Sequence, residues 1–106
     1  MIEVEHAFAA DHPSAAGHFP GHPVIPGAVL LDEVVRVLHT CLGNEQATLE
    51  VRTAKFLHPV LPGERVTIII ETVTQNEYKF QCKLQQKTAL AGKLHYTGRA
   101  DPQTTL

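Results

Sequence analysis

A chain of 106 residues forms one domain with room for a single modest core. Its formal net charge is −2 and its nine Lys and Arg are scattered, so no basic field invites nucleic acid. With 43% apolar and 19% charged residues the composition is that of a folded globular domain. No apolar run approaches the roughly 18–20 residues that a membrane span needs.

The N-terminus, Met-Ile-Glu-Val-Glu-His, has no basic region followed by an apolar core. No secretory signal is therefore expected, and a cytoplasmic location is. Cys41 and Cys82 lack the spacing of a metal or redox motif. Both fall in apolar patterns and are expected to be buried free thiols.

Residues 2–9 alternate, with Ile2, Val4, His6 and Phe8 on one face, which predicts a strand. Asp11-His12-Pro13-Ser14 reads as a turn, because Asp bonds its own backbone and Pro cannot donate to a ladder. Residues 13–27 form a Pro/Gly loop. Pro20, Pro23 and Pro26 together with Gly17, Gly21 and Gly27 hold it in a stiff, non-helical path.

The spacing predicts the one helix over residues 28–42. Leu30, Leu31, Val34, Val35, Val37, Leu38, Cys41 and Leu42 share a broad apolar face, and Asp32, Glu33, Arg36, His39 and Thr40 the polar one. Pro26 precedes it, and Gly43-Asn44 suits a C-terminal stop.

Strands are predicted over 47–57, 65–74, 78–85 and 89–97, separated by turns at Pro62-Gly63, Gln75-Asn76-Glu77 and Gln86-Lys87. The β-branched run of 65–74 suits a strand covered on both faces or buried at an interface. Tyr78, Phe80, Cys82 and Leu84 are expected to point inward, as are Leu90, Leu94 and Tyr96. The polar tail 98–106 is expected to fray. One strand, one helix and four further antiparallel strands make an α+β domain, its sheet curled around the lone helix. Its open edge is most economically covered by pairing across a two-fold axis.

A rigid loop that delivers a histidine to the start of a helix more often carries chemistry than packing. Gly17-His18-Phe19-Pro20-Gly21-His22-Pro23-Val24-Ile25-Pro26-Gly27, followed by Leu30-Leu31-Asp32, resembles the 3-hydroxyacyl-(acyl carrier protein) dehydratases of the hotdog fold. Their pattern is Gly-His-Phe-x-Gly-x-Pro-x-x-Pro-Gly, with an acidic residue fourteen positions after the His, where Asp32 stands. Lys55-Phe56-Leu57-His58-Pro59-Val60-Leu61-Pro62-Gly63 is similar to that family's later Lys-Phe…Pro-Val-x-Pro-Gly segment.

The resemblance implies a hotdog dimer and a cofactor-free dehydration of acyl thioesters on acyl carrier protein, in fatty acid or polyketide-type lipid assembly. It implies His18 as base, the Gly27 backbone amide as the group polarising the thioester carbonyl, and Asp32 as acid or water-orienting group. In such enzymes the His and the acid come from different subunits.

The residue types fit these roles. Removing an α-proton needs a base that titrates near neutrality, and charge building on the thioester oxygen needs a fixed donor. A glycine at a helix start leaves a free N–H backed by the helix dipole and lets a carbonyl approach. Asp32, on the polar face, could equally be a plain solvated residue, and Glu33 is expected at the surface. His6, His12, His18 and His22 suggest no metal site, because Pro20 and Pro23 forbid the helix that would gather them.

Two departures stand out. His18 lies closer to the start than in typical members of the family. Four positions after the acid stands Arg36, where relatives usually carry Gln; at i, i+4 it would neighbour Asp32 and favour the charged carboxylate. A hotdog thioesterase, or a non-catalytic subunit pairing with an active dehydratase, therefore remain alternatives to a homodimeric dehydratase.

Overall fold

The computed structural model describes residues 1–8, 24–43 and 48–97. Residues 9–23, which include His18 and most of the expected Pro/Gly loop, and residues 98–106, expected to fray, lie outside the described residues. The order of elements matches the sequence reading: β1 (Ile2–Ala7), α1 (Gly27–Leu42), β2 (Thr48–Phe56), β3 (Arg65–Thr74), β4 (Glu77–Leu84) and β5 (Lys87–Thr97).

All strand pairs are antiparallel and form one sheet in the order β1-β3-β4-β5-β2. The helix presents Leu30, Val34, Val37 and Leu38 to the core, an i, i+4, i+7, i+8 stripe. They pack with Val66, Ile68 and Ile70 of β3, Tyr78, Phe80 and Cys82 of β4, and Ala89, Leu90 and Leu94 of β5. Each large apolar side chain buried there contributes about 1.5–3 kcal/mol.

Alternation in β3 is strict. Val66, Ile68 and Ile70 are buried, whereas Thr67 and Ile69 on the outer face are only half-covered. Among the described residues this strand is covered on one face only, so of the two expectations double covering is not seen within the chain. Cys41 also differs from expectation: it is exposed, and only Cys82 is a buried thiol. Cys41 sits in the last turn of α1, where its neighbour Leu42 rather than Cys41 packs against the core. Tyr96, expected inward, is half-buried near the end of β5.

The β4–β5 connection is at Gln85-Gln86, one residue earlier than the expected Gln86-Lys87, with Leu84 opposite Lys87. Gln85 takes a positive φ of 53°, a conformation for which Asn or Gly would have been the usual signal. Gly43, by contrast, terminates the helix as its residue type predicts. It adopts the left-handed conformation at φ 70°, and its N–H donates to the His39 and Thr40 carbonyls.

Gly92 explains a tight place in the sheet. A Cβ there would lie 2.1 Å from the Thr53 carbonyl oxygen and 2.7 Å from Phe80 Cζ. The ring of Phe80 fills the space that a side chain would have used, beside the β2 bulge between Val51 and Thr53. Strand β2 is the other notable element. It closes one end of the sheet, and most of its residues are exposed, Val51 and Phe56 among them.

Candidate active site

The site is built around the start of α1. Pro26 stands at the N-cap position with extended backbone (φ −59°, ψ 146°), and its carbonyl accepts from Val29 N–H at 2.9 Å and Leu30 N–H at 3.3 Å. Among the described residues no side chain caps this end. Proline just ahead fixes the entry, and the first N–H groups of a helix have no intrahelical acceptor. The positive end of the helix dipole therefore meets whatever approaches Gly27.

Just upstream, Ile25 N–H donates to the Val60 carbonyl at 2.8 Å, an isolated bridge that ties the helix entry to the segment after β2. That segment is anchored in turn by Leu57 N–H donating to the Ala89 carbonyl at 2.8 Å. Between the two runs lies a largely apolar cleft of about 710 Å³, with Pro26, Gly27 and Leu31 on one side and Phe56, Leu57 and His58 on the other. Its wall is apolar and adjoins the helix-start N–H groups, which have no intrahelical acceptor.

Phe56 is the residue that sequence reasoning missed. Its ring lies directly over Gly27, so that a Cβ at position 27 would sit 2.5 Å from Phe56 Cε1. The side chain is nonetheless 55% exposed. The signal was present in the Lys55-Phe56 pair, but pattern alone does not say what a strand-end aromatic covers.

The structure brings Gly27 and Phe56 together and keeps Asp32 apart from them. Asp32 is five residues beyond Gly27, about 140° around the helix. It is exposed, turned away from the buried stripe of Leu30, Val34, Val37 and Leu38. It is not among the residues that line the helix-start cleft, although Ala28, one turn before it, is. His18, the expected base, lies outside the described residues.

Arg36 does not take Asp32 as its chief partner. Its Nε donates to Glu33 Oε1 at 3.2 Å, and its terminal NH2 group bonds Glu33 Oε2. The guanidinium is held above its ordinary value chiefly by the Glu33 hydrogen bond and charge, with the Asp32 charge a lesser contributor. Glu33, expected at the surface, has a side chain only 12% exposed and also meets His6 Nδ1 at 3.2 Å. His6 reaches across from β1 to the same carboxylate, so Glu33 lies between His6 and Arg36.

Beneath this cluster, burial first and the Glu33 charge second push the Cys82 thiol up to about 12. A thiol so held remains protonated near neutrality and is no nucleophile.

The comparisons with known proteins converge on this architecture. The ApeI-like family model, described as ApeI dehydratase, matches residues 1–93. The chain is 33% identical over 97 residues to a 3-hydroxyacyl-(acyl-carrier-protein) dehydratase FabZ of Ehrlichia canis (strain Jake), covering 78% of this chain and 64% of that protein. It is 34% identical over 83 residues to the FabZ of Wolbachia sp. subsp. Drosophila simulans (strain wRi), covering 68% and 57%. The chain thus spans less than two thirds of the length of these relatives.

Among solved structures, the dehydratase heterocomplex ApeI:P from Xenorhabdus doucetiae superposes with a TM-score of 0.79 at 24% identity, covering 91% of this chain and 86% of that one. That likeness establishes the hotdog fold, one helix against a five-stranded antiparallel sheet. With the family match running through β1, the helix and nearly all of the sheet, the chain belongs to the ApeI-like dehydratase family.

Proposed function

We propose that this protein dehydrates 3-hydroxyacyl thioesters carried on acyl carrier protein to trans-2-enoyl thioesters, in the cytoplasm, as a step of fatty acid or polyketide-type lipid assembly. The observation that carries the reading is the apolar cleft at an uncapped helix start, with Gly27 beneath the Phe56 ring, in a chain of a dehydratase family.

In this reading His18 removes the proton at C2, and the electron pair moves toward the thioester carbonyl. The Gly27 N–H, backed by the helix dipole, stabilises the charge that develops on that oxygen. The pair then returns to form the C2–C3 double bond, and the C3 hydroxyl departs as water with a proton supplied or relayed at Asp32. No cofactor enters, because the thioester itself acidifies C2.

Asp32 is exposed and does not line its own chain's cleft, which favours a site completed by a second subunit. Strand β2 supplies the edge: it ends the sheet and exposes Val51 and Phe56. A homodimer joined along β2 would set Asp32 of one protomer toward the loop histidine of its partner. The structural neighbour described as a heterocomplex makes a related dehydratase the other partner to test.

The deciding experiment is hydration of a crotonyl or longer enoyl thioester by wild type and His18→Ala. The variant is expected to lose at least about a hundredfold in turnover. Unchanged turnover would end the proposal. Release of free thiol without hydration would instead identify a thioesterase.

A further inference from the structure

The cleft at the helix start is walled by apolar side chains with one exception. Among the described residues that line it, His58 is the one with a polar side chain. Apolar pockets orient their ligands through the few polar groups they hold. His58 is half-buried, and among the described residues its imidazole makes no ion pair or hydrogen bond. The same residue also lines a second, polar pocket of about 660 Å³, shared with Glu5, Glu64, Arg65, Thr67 and Lys87. His58 therefore stands where the apolar cleft and the polar pocket adjoin.

Local structure fixes it there. His58 N–H donates to the Ala89 carbonyl at 3.4 Å, an acceptor it shares with Leu57 N–H at 2.8 Å. Pro59 follows, and a residue before proline is held to extended backbone. Val60, next along the chain, is fully buried and bonded to Ile25 at the helix entry. The imidazole is thus carried on backbone anchored on both sides, in the same cleft as Gly27.

A 3-hydroxyacyl thioester brings two polar groups into this cleft, the thioester carbonyl and the C3 hydroxyl. In the proposed reaction the Gly27 N–H meets the carbonyl. The hydroxyl needs a partner as well, because taking it out of water without one is unfavourable. Asp32 of the same chain does not line the cleft.

We propose that His58 recognises the C3 hydroxyl of the substrate and holds it at the boundary between the apolar cleft and the polar pocket. The inference rests on the dehydratase reading. A neutral imidazole has one donor and one acceptor nitrogen and so can bond a hydroxyl in either sense. The hydroxyl departs as water, and the polar pocket offers that water partners which the apolar wall lacks. A saturated acyl thioester gains nothing from His58, so the site selects for the hydroxylated chain.

The test is the binding of two pantetheine thioesters, 3-hydroxybutyryl and butyryl, to His18→Ala protein, in which the ligand is not consumed. Residue 58 is kept as His or changed by His58→Leu or His58→Gln. With His58 in place the hydroxylated ligand is expected to bind at least about fivefold more tightly. His58→Leu should abolish that preference while affinity for the butyryl ligand is kept or rises, a pattern that a damaged cleft does not give. His58→Gln retains a donor and an acceptor and should keep a preference. No preference with His58 in place, an unchanged preference in His58→Leu, or an equal loss of both ligands in the two variants overturns the proposal. A His58-dependent preference in a chain whose wild type hydrates no enoyl thioester leaves hydroxyl recognition standing and removes the dehydratase reading. Hydration by wild type without such a preference does the reverse.

Discussion

Glu33 organises more of this molecule than its position on the polar side of an amphipathic helix suggests. It takes hydrogen bonds from Arg36 and lies within 3.2 Å of His6, and its charge reaches the thiol of Cys82. Because Arg36 is engaged there, Arg36→Gln is expected to leave kcat/KM for an enoyl thioester unaltered. A marked gain would instead support the reading in which Arg36 disables Asp32.

The two thiols give a direct check of the residue-scale picture. In the native protein Cys41 should react promptly with a thiol reagent, and Cys82 only on unfolding. The raised Cys82 thiol also has a defined pH signature. Its pKa is about 12 folded against 9.0 unfolded, so the folded state favours the protonated form. That contribution is fully present below pH 9.0 and is lost as pH rises toward about 12. Urea melts of wild type and Cys82→Ala across that window should show a shallower alkaline decline in the variant.

At the scale of elements, two glycines are close to other atoms for different reasons, and their substitutions should separate. At Gly92 the obstacle is the backbone oxygen of Thr53, which cannot move without breaking the β2–β5 ladder. Gly92→Ala should therefore cost about 1–3 kcal/mol in a denaturant melt. At Gly27 the obstacle is the far end of an exposed phenylalanine ring, which can rotate away. Gly27→Ala should leave stability within about 0.5 kcal/mol. By crowding the approach of the thioester carbonyl to the amide, it should lower kcat/KM by roughly a hundredfold.

The strands and the helix were readable from their periods because the core lies on one side of the sheet only. Buried residues then recur at period 2 in β3 and β4 and at helical spacing in α1. What escaped that reading follows from physics outside the periodicity. The Gln85-Gln86 turn uses residues with no turn preference. Cys41 lies on the apolar stripe, yet in the last turn of the helix it is Leu42 that packs against the core.

For the whole molecule, the open question of assembly has a definite place to be tested. An edge strand of nine residues with exposed Val51 and Phe56 is a template for pairing with another chain. Sedimentation should give twice the 11.6 kDa chain mass. Val51→Lys, charging that edge, should yield monomer and abolish hydration, because His18 and Asp32 would then lie on separate molecules. A fully active monomer would refute the shared site.

Sequence alone determined the α+β order of elements and the family, and proposed roles for His18, Gly27 and Asp32 through the resemblance. Local propensity, hydrophobic period and an ordered motif are all written along the chain. Tertiary structure alone decided that Phe56 covers Gly27, that Arg36 turns to Glu33, and that His58 stands between the cleft and a polar pocket. Each of these depends on strand register and on which side chain crosses from a neighbouring element. Contacts between residues distant in sequence leave no periodic trace.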